Sequence, residues 1–194
     1  MQFQIENNVL VRYDYDHQEE SVVIPGGVEV IGSSAFSYCR KISEILIPDS
    51  VKEIRSGAFK ESGIVSVTIP DSVTELGQDA FAMCEYLEKA ELGEGIVRID
   101  AYTFRRCHSL EYLRLPSGLQ EAGYDAFEEC YCLKKAWVDG TEYRLRDRNA
   151  PRPVALVLES ISASRRRYIQ YAESGAMDEF EYTDYCIAGD GYSY

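Results

Sequence analysis

Residues 47–70 read IPDSVKEIRSGAFKESGIVSVTIP, and the same order of residue types recurs on both sides of this stretch. An apolar residue followed by Pro or Gly stands at Ile24-Pro25, Ile47-Pro48, Ile69-Pro70, Leu92-Gly93 and Leu115-Pro116, at intervals of 23, 22, 23 and 23 residues. An apolar pair follows each time: Val28/Ile31, Val51/Ile54, Val73/Leu76, Ile96/Ile99 and Leu119/Ala122. Next comes a small residue before Phe, at Ala35-Phe36, Ala58-Phe59, Ala80-Phe81, Thr103-Phe104 and Ala126-Phe127. Three residues later stands Cys39, Ser62, Cys84, Cys107 or Cys130. Ile42, Ile64, Leu87, Leu110 or Leu133 then leads into the next repeat. Self-similarity at a fixed period of this length marks a repeat solenoid. One such segment cannot bury its own apolar side, whereas stacked segments share a continuous core.

The residues leading to each apolar-Pro pair alternate: Ile45-Leu46-Ile47, Val67-Thr68-Ile69, Ala90-Glu91-Leu92, Leu113-Arg114-Leu115 and Ala136-Trp137-Val138. Alternation sends the outer members to the core and the middle one to solvent. Each coil therefore contributes one short strand to a single parallel sheet. Pro ends each strand where a missing N–H does no harm. The Ala-Phe segment is expected to form a short helical turn opposite the sheet, with Phe filling the coil.

A stacked array needs covered ends. Ile5, Val9 and Val11 alternate around Asn7-Asn8, which predicts a β-hairpin cap over residues 1–21. About five coils follow over 22–140. Past the Asp139-Gly140 turn, Thr141 to Arg146 alternates as a further strand. A helix is expected after Ala150-Pro151-Arg152-Pro153, with Pro153 in its first turn and Gly175 as its stop. Val154, Leu158, Ile161, Tyr168 and Ala172 share one face. Strand and helix together make a closing unit over 141–176, and 177–194 is an acidic, aromatic tail.

The string at 47–70 resembles the BspA-like branch of the leucine-rich repeats. Residues 3–25, FQIENNVLVRYDYDHQEESVVIP, resemble the hairpin that opens such arrays. The resemblance spans about Phe3 to Gly140. It implies a right-handed leucine-rich-repeat solenoid with a hairpin cap, one parallel β-sheet, short helical turns and a helix cap. It also implies a bacterial or protist surface protein used in adhesion, although a fold alone does not set a function. The Cys/Ser position matches the ladder of small polar residues in leucine-rich repeats, whose side chains point inward. Free buried thiols are expected there rather than disulfides or a metal.

Composition narrows the function classes. The chain has 194 residues and a formal net charge of −13, with 45% hydrophobic residues. Such acidity argues against nucleic acid as a partner, since phosphate attraction needs a basic surface. No apolar run reaches membrane-spanning length, so no membrane insertion is expected. Met1 to Asn7 has neither a basic region nor an apolar run, so no signal peptide is expected and the default compartment is the cytoplasm. A longer reading frame would move the protein to the cell surface or outside the cell.

Catalytic and metal-binding motifs are not apparent, so no enzyme, cofactor or metal is expected. His17 belongs to the cap and His108 to a loop after an inward Cys107, which makes no dyad. Cys130-Tyr131-Cys132 lacks the spacing of a zinc site. Asp14, Asp16, Glu19 and Glu20 lack the glycine and spacing of a calcium loop. Arg165-Arg166-Arg167 reads as a solvated helical face.

The exposed sheet face is the candidate site. Its middle column runs Val23, Leu46, Thr68, Glu91, Arg114, Trp137; two residues upstream runs Ser21, Glu44, Ser66, Lys89, Tyr112, Lys135. The C-terminal half thus gathers Lys89, Glu91, Tyr112, Arg114, Lys135 and Trp137 as a basic, aromatic patch with Trp137 exposed. Trp, Tyr and Arg are enriched at binding hot spots. The bland alternative has Arg114 stacking on Trp137 and pairing with Glu91 merely to tidy the surface. The expected function is non-enzymatic binding of a protein or cell-surface macromolecule. A structural, self-associating scaffold is the alternative, and the oligomeric state is left open.

Overall fold

The structure is a computed structural model and describes residues 2–15, 18–145 and 149–161. It opens with β1 (Phe3–Glu6) and β2 (Val9–Tyr13). Each coil then supplies a longer and a shorter strand: β3 (Ser21–Val23), β4 (Val30–Ile31), β5 (Glu44–Leu46), β6 (Glu53–Ile54), β7 (Ser66–Thr68) and β8 (Glu75–Leu76). The pattern continues through β9 (Lys89–Glu91), β10 (Arg98–Ile99), β11 (Tyr112–Arg114), β12 (Glu121–Ala122) and β13 (Lys135–Val138). β14 (Thr141–Arg144) and a helix, α1, over residues 152–161 complete the described chain.

The expected solenoid is present. Its main sheet has seven strands in the order β14-β13-β11-β9-β7-β5-β3, all parallel except the β13–β14 pair. Six of these are repeat strands, one more than the five apolar-Pro markers. The alternation also holds: Ile45, Ile47, Ala90, Leu92, Leu113 and Leu115 are buried, while the residues between them face out.

Two features of the coils differ from the expectation. A second ladder, of two-residue strands beyond the β1–β2 hairpin, runs β1-β2-β4-β6-β8 and resumes as β10-β12, so there is more than one sheet. It is built from the apolar pairs: Ile31, Ile54, Leu76 and Ile99 each end such a strand and are buried. The Ala-Phe segments are turns and not helical. In each, the residue before Ala or Thr and the second residue after Phe have positive φ, as in Asp79 (56°) and Met83 (60°). Left-handed residues interrupt a right-handed helix. Every other N–H accordingly reaches the next coil. Phe36 N–H donates to Ala58 C=O (2.7 Å) and Phe81 N–H to Thr103 C=O (2.9 Å), while Cys84 N–H closes a local turn on Phe81 C=O (3.3 Å).

Within this ladder Phe36, Phe59, Phe81, Phe104 and Phe127 are buried and stacked, with successive ring centroids 4.9–5.5 Å apart. Each buried ring stabilises by about 2–3 kcal/mol through area alone. The hairpin extends the column, since Tyr13 stacks on Phe36 at 5.1 Å and its N–H donates to Ala35 C=O (3.0 Å). Asn7 and Asn8 turn the hairpin with φ of 49° and 64°. Its inward residues are Leu10 and Tyr13; Ile5 and Val11 are exposed, and the β1–β2 register shifts between Gln4 and Ile5, skipping Val11.

At the other end α1 covers the last coil. Its buried residues are Pro153, Val154, Leu156, Val157 and Ser160, with Leu158 and Ile161 only partly buried. The face is rotated from the expected one by about one residue, or about 100°. Phe127 N–H has no further coil to reach, and Ser160 Oγ accepts its hydrogen bond instead (3.4 Å). Tyr168, Ala172, Gly175, the triple Arg, the tail, His17 and Asp16 lie outside the described residues.

Candidate functional site

The parallel register carries the candidate residues into contact. Tyr112 lies opposite Lys89, Arg114 opposite Glu91, and Trp137 opposite Arg114. All six expected residues therefore share one face of three adjacent strands, β9, β11 and β13. Their contacts refine the expected picture. Tyr112 stacks on Trp137 with centroids 4.2 Å apart and planes 23° apart, so Trp137 is half-buried and not freely exposed. Lys89 Nζ sits 5.0 Å from the Tyr112 ring centre.

Each cation of the patch also has a carboxylate. Lys89 Nζ meets Glu91 at 2.6 Å, and this hydrogen bond raises the lysine pKa above its ordinary value. Arg114 lies 4.0 Å from Glu91 and 3.6 Å from Glu94, and Lys135 meets Glu142 at 2.8 Å. Glu94 comes from the turn after β9, and Glu142 from β14 folding back beside β13. Neither lies in the two columns, which is why the expected basic character is offset. Exposed pairs like these are worth at most about 1 kcal/mol each. They hold the charged side chains in place around the two rings.

The N-terminal half of the same face has a different character. Val23 and Leu46 lie side by side in register, exposed by 65% and 59%. They border a shallow groove over β3, β5 and β7 that also includes Glu44, Asp49 and Asp71. Both apolar residues stood in the outward column of the sequence, and an apolar residue at a solvent position was the signal for them.

The ladder cysteines are free and buried. Each of three thiols donates to the Phe carbonyl of the preceding coil: Cys84 to Phe59 (3.1 Å), Cys107 to Phe81 (3.2 Å) and Cys130 to Phe104 (3.1 Å). Ser62 Oγ lies 3.4 Å from Cys84 Sγ in the same ladder. Burial, through loss of solvation, pushes Cys39 up to about 12 and Cys84 up to about 11, and raises Cys107 and Cys130 as well. A nucleophilic thiolate is disfavoured in such a setting. His108 stacks on Tyr131 at 5.4 Å, whereas Cys107 is buried in the core. Among the described residues no His, Cys, Asp and Glu cluster is arranged to hold a metal, and no helix is long and apolar enough to cross a membrane.

The BspA type leucine rich repeat region matches residues 12–134 in six copies. A leucine-rich repeat protein from Bacteroides ovatus is 29% identical, with a TM-score of 0.50; the match covers 66% of this chain and 41% of that one. One from Eubacterium ventriosum is 20% identical with a TM-score of 0.63, covering 68% and 36%. The pneumococcal vaccine antigen PcpA is 18% identical with a TM-score of 0.50, covering 71% and 47%. The match thus spans less than half the length of each of these three proteins. No curated protein matches the chain.

Proposed function

The chain belongs to the BspA-type leucine-rich repeat family, and from that premise we propose that it is a non-enzymatic interaction module. Its partner is a protein or another cell-surface macromolecule, bound through the outward face of β9, β11 and β13, and adhesion is the finer form of this role. The observation that carries the reading is the Tyr112–Trp137 stack, held at 4.2 Å on a sheet and ringed by paired charges. Rings already fixed by stacking lose little further freedom on binding. Large aromatic residues surrounded by polar ones also match the anatomy of an interface hot spot.

The test compares capture of surface-extract proteins by the wild type and by Tyr112→Ala/Trp137→Ala, with thermal melts to check the fold. A hot spot of this kind contributes about 2–4 kcal/mol, so affinity for a captured partner should fall by about 30-fold or more. Equal capture by a folded double variant would remove the support for this site.

A further inference from the structure

The main sheet ends in two edge strands. β14 folds back antiparallel on β13 and forms one edge, and β3, which pairs only with β5, forms the other. The hairpin cap pairs with β4 in the other sheet and leaves β3 open. Towards β5, Glu20 C=O accepts from Glu44 N–H (3.1 Å) and Ile24 N–H donates to Leu46 C=O (3.1 Å). Alternation along a parallel strand then turns the N–H and C=O groups of Ser21 and Val23 outward. Among the described residues none bonds to them.

Natural sheets usually blunt an open edge with Lys, Pro or a covering segment. Here the edge presents Val23, with Leu46 beside it and the groove behind. The charge there is one-sided. Glu44 and Asp49 make no ion pair among the described residues, while Asp71 accepts the Glu94 N–H (2.8 Å). The cation in the groove lining, Arg114, is engaged by Glu91 and Glu94.

We propose that the β3 edge receives an extended segment of a partner protein in which basic and apolar side chains alternate. The segment adds as an eighth strand to the seven present. Its backbone pairs with Ser21 and Val23, its apolar side chains cover Val23 and Leu46, and its Lys or Arg side chains reach Glu44 and Asp49. Strand addition draws affinity from main-chain bonds and selectivity from such side-chain contacts. A second copy of this chain fits less well. It would bring the same carboxylates together in a molecule of net charge −13, and like charges across a pair are unfavourable.

The probe is a fluorescently labelled synthetic peptide of about ten residues, the length of a long strand, in which lysine alternates with valine and threonine. Anisotropy titration of the full chain should show saturable binding that weakens about tenfold or more as salt rises towards 1 M. Val23→Pro removes the outward N–H without touching the bonds to β5, an edge placement that strands tolerate. It should weaken binding about tenfold or more, as should methylation of alternate peptide nitrogens. Glu44→Lys is the second variant, in case Val23→Pro fails to fold, and should also weaken binding. Trp137→Ala should leave it unchanged, which separates this site from the aromatic one. The proposal is overturned by absence of binding, or by equal binding to the folded variants and the methylated peptide. It is equally overturned if sedimentation shows a dimer of the chain that Val23→Pro dissolves.

Discussion

Gly63→Ala tests the stacking argument at the one coil that is a residue short. Ile47-Pro48 to Ile69-Pro70 spans 22 residues where the other intervals are 23. The loss falls between the ladder residue and the next apolar marker: Ser62-Gly63-Ile64 has one intervening residue, whereas Cys84-Glu85-Tyr86-Leu87 has two. The shortened link runs tight against the preceding coil. A Cβ on Gly63 would lie 2.0 Å from Arg40 O, 2.7 Å from Arg40 C and 3.3 Å from Ile42 O. All three atoms are backbone and cannot rotate away. They are pinned by Ile42 N–H to Cys39 C=O (3.2 Å), Gly63 N–H to Cys39 C=O (3.1 Å) and Val65 N–H to Ser43 C=O (2.9 Å). Relieving the clash requires a shift of about an ångström, which breaks at least one buried ladder bond at about 1–3 kcal/mol. Overpacking adds about 1–3 kcal/mol. The expected loss is therefore about 3–5 kcal/mol, a large part of an ordinary domain stability of about 5–15 kcal/mol. With a urea m-value of about 2 kcal/mol/M, the unfolding midpoint should fall by about 2 M. Inserting one residue after position 63 in the Ala variant restores the longer spacing and should recover much of the loss. A midpoint shift below about 0.5 M, or no recovery on insertion, would refute the reasoning.

Ser160→Ala removes the acceptor for Phe127 N–H at the end of the ladder. It should cost about 1–2 kcal/mol and speed hydrogen exchange at Phe127; an unchanged rate contradicts the capping role. Met83 holds φ at 60°, so Met83→Val should cost about 1–2 kcal/mol while Met83→Gly stays within about 1 kcal/mol of wild type. Equal stability of Val and Met variants in urea would show that the left-handed turn is not constrained. The four ladder thiols are raised in the fold by burial, so the unfolded chain loses their protons first. Their contribution is complete below about pH 8.5 and is lost as pH rises through the folded values, at about 1.4 kcal/mol per pH unit for each thiol. Cys84→Ser should make the decline of stability between about pH 9 and 11 shallower by that slope, and an identical decline in both proteins would contradict it.

Much of the fold is legible in the sequence because a strand period and a repeat period act together. Once Ile47 and Ile69 are placed inward, the outward Leu46 and Thr68 follow, and the repeat sets Lys89 beside Tyr112. The observed pairing of these strands agrees with that derivation. What escapes it depends on contacts between unlike segments. Glu94 and Glu142 reach the patch from a turn and a returning strand, so no column contains them. Met83 and Tyr38 adopt positive φ without being Gly or Asn, because the bonds to neighbouring coils impose that conformation on them. The inner face of α1 is chosen by the coil it covers, which moved burial from Leu158 to Val157 and Ser160.

The same architecture separates the parts of the molecule that hold it together from the parts free to recognise something else. Inward positions are fixed by the Phe column, the thiol ladder and the apolar strand residues, each repeated coil after coil. Outward strand positions carry no such constraint, since surface substitutions usually change stability by only about 0.5 kcal/mol. Yet this sheet face is far from uniform. At one end a ring pair is clamped among paired charges beside the antiparallel β13–β14 pair; at the other, Val23, Leu46 and carboxylates without an ion pair among the described residues, Glu44 and Asp49, flank the β3 edge. Folding alone accounts for the C-terminal end, where β14 and α1 bury the last coil. It gives no reason to leave Val23 exposed on an edge strand, an arrangement that favours unwanted association. A function in strand pairing supplies that reason. The two ends are five strand spacings apart, about 24 Å, far enough for their substitutions to act independently.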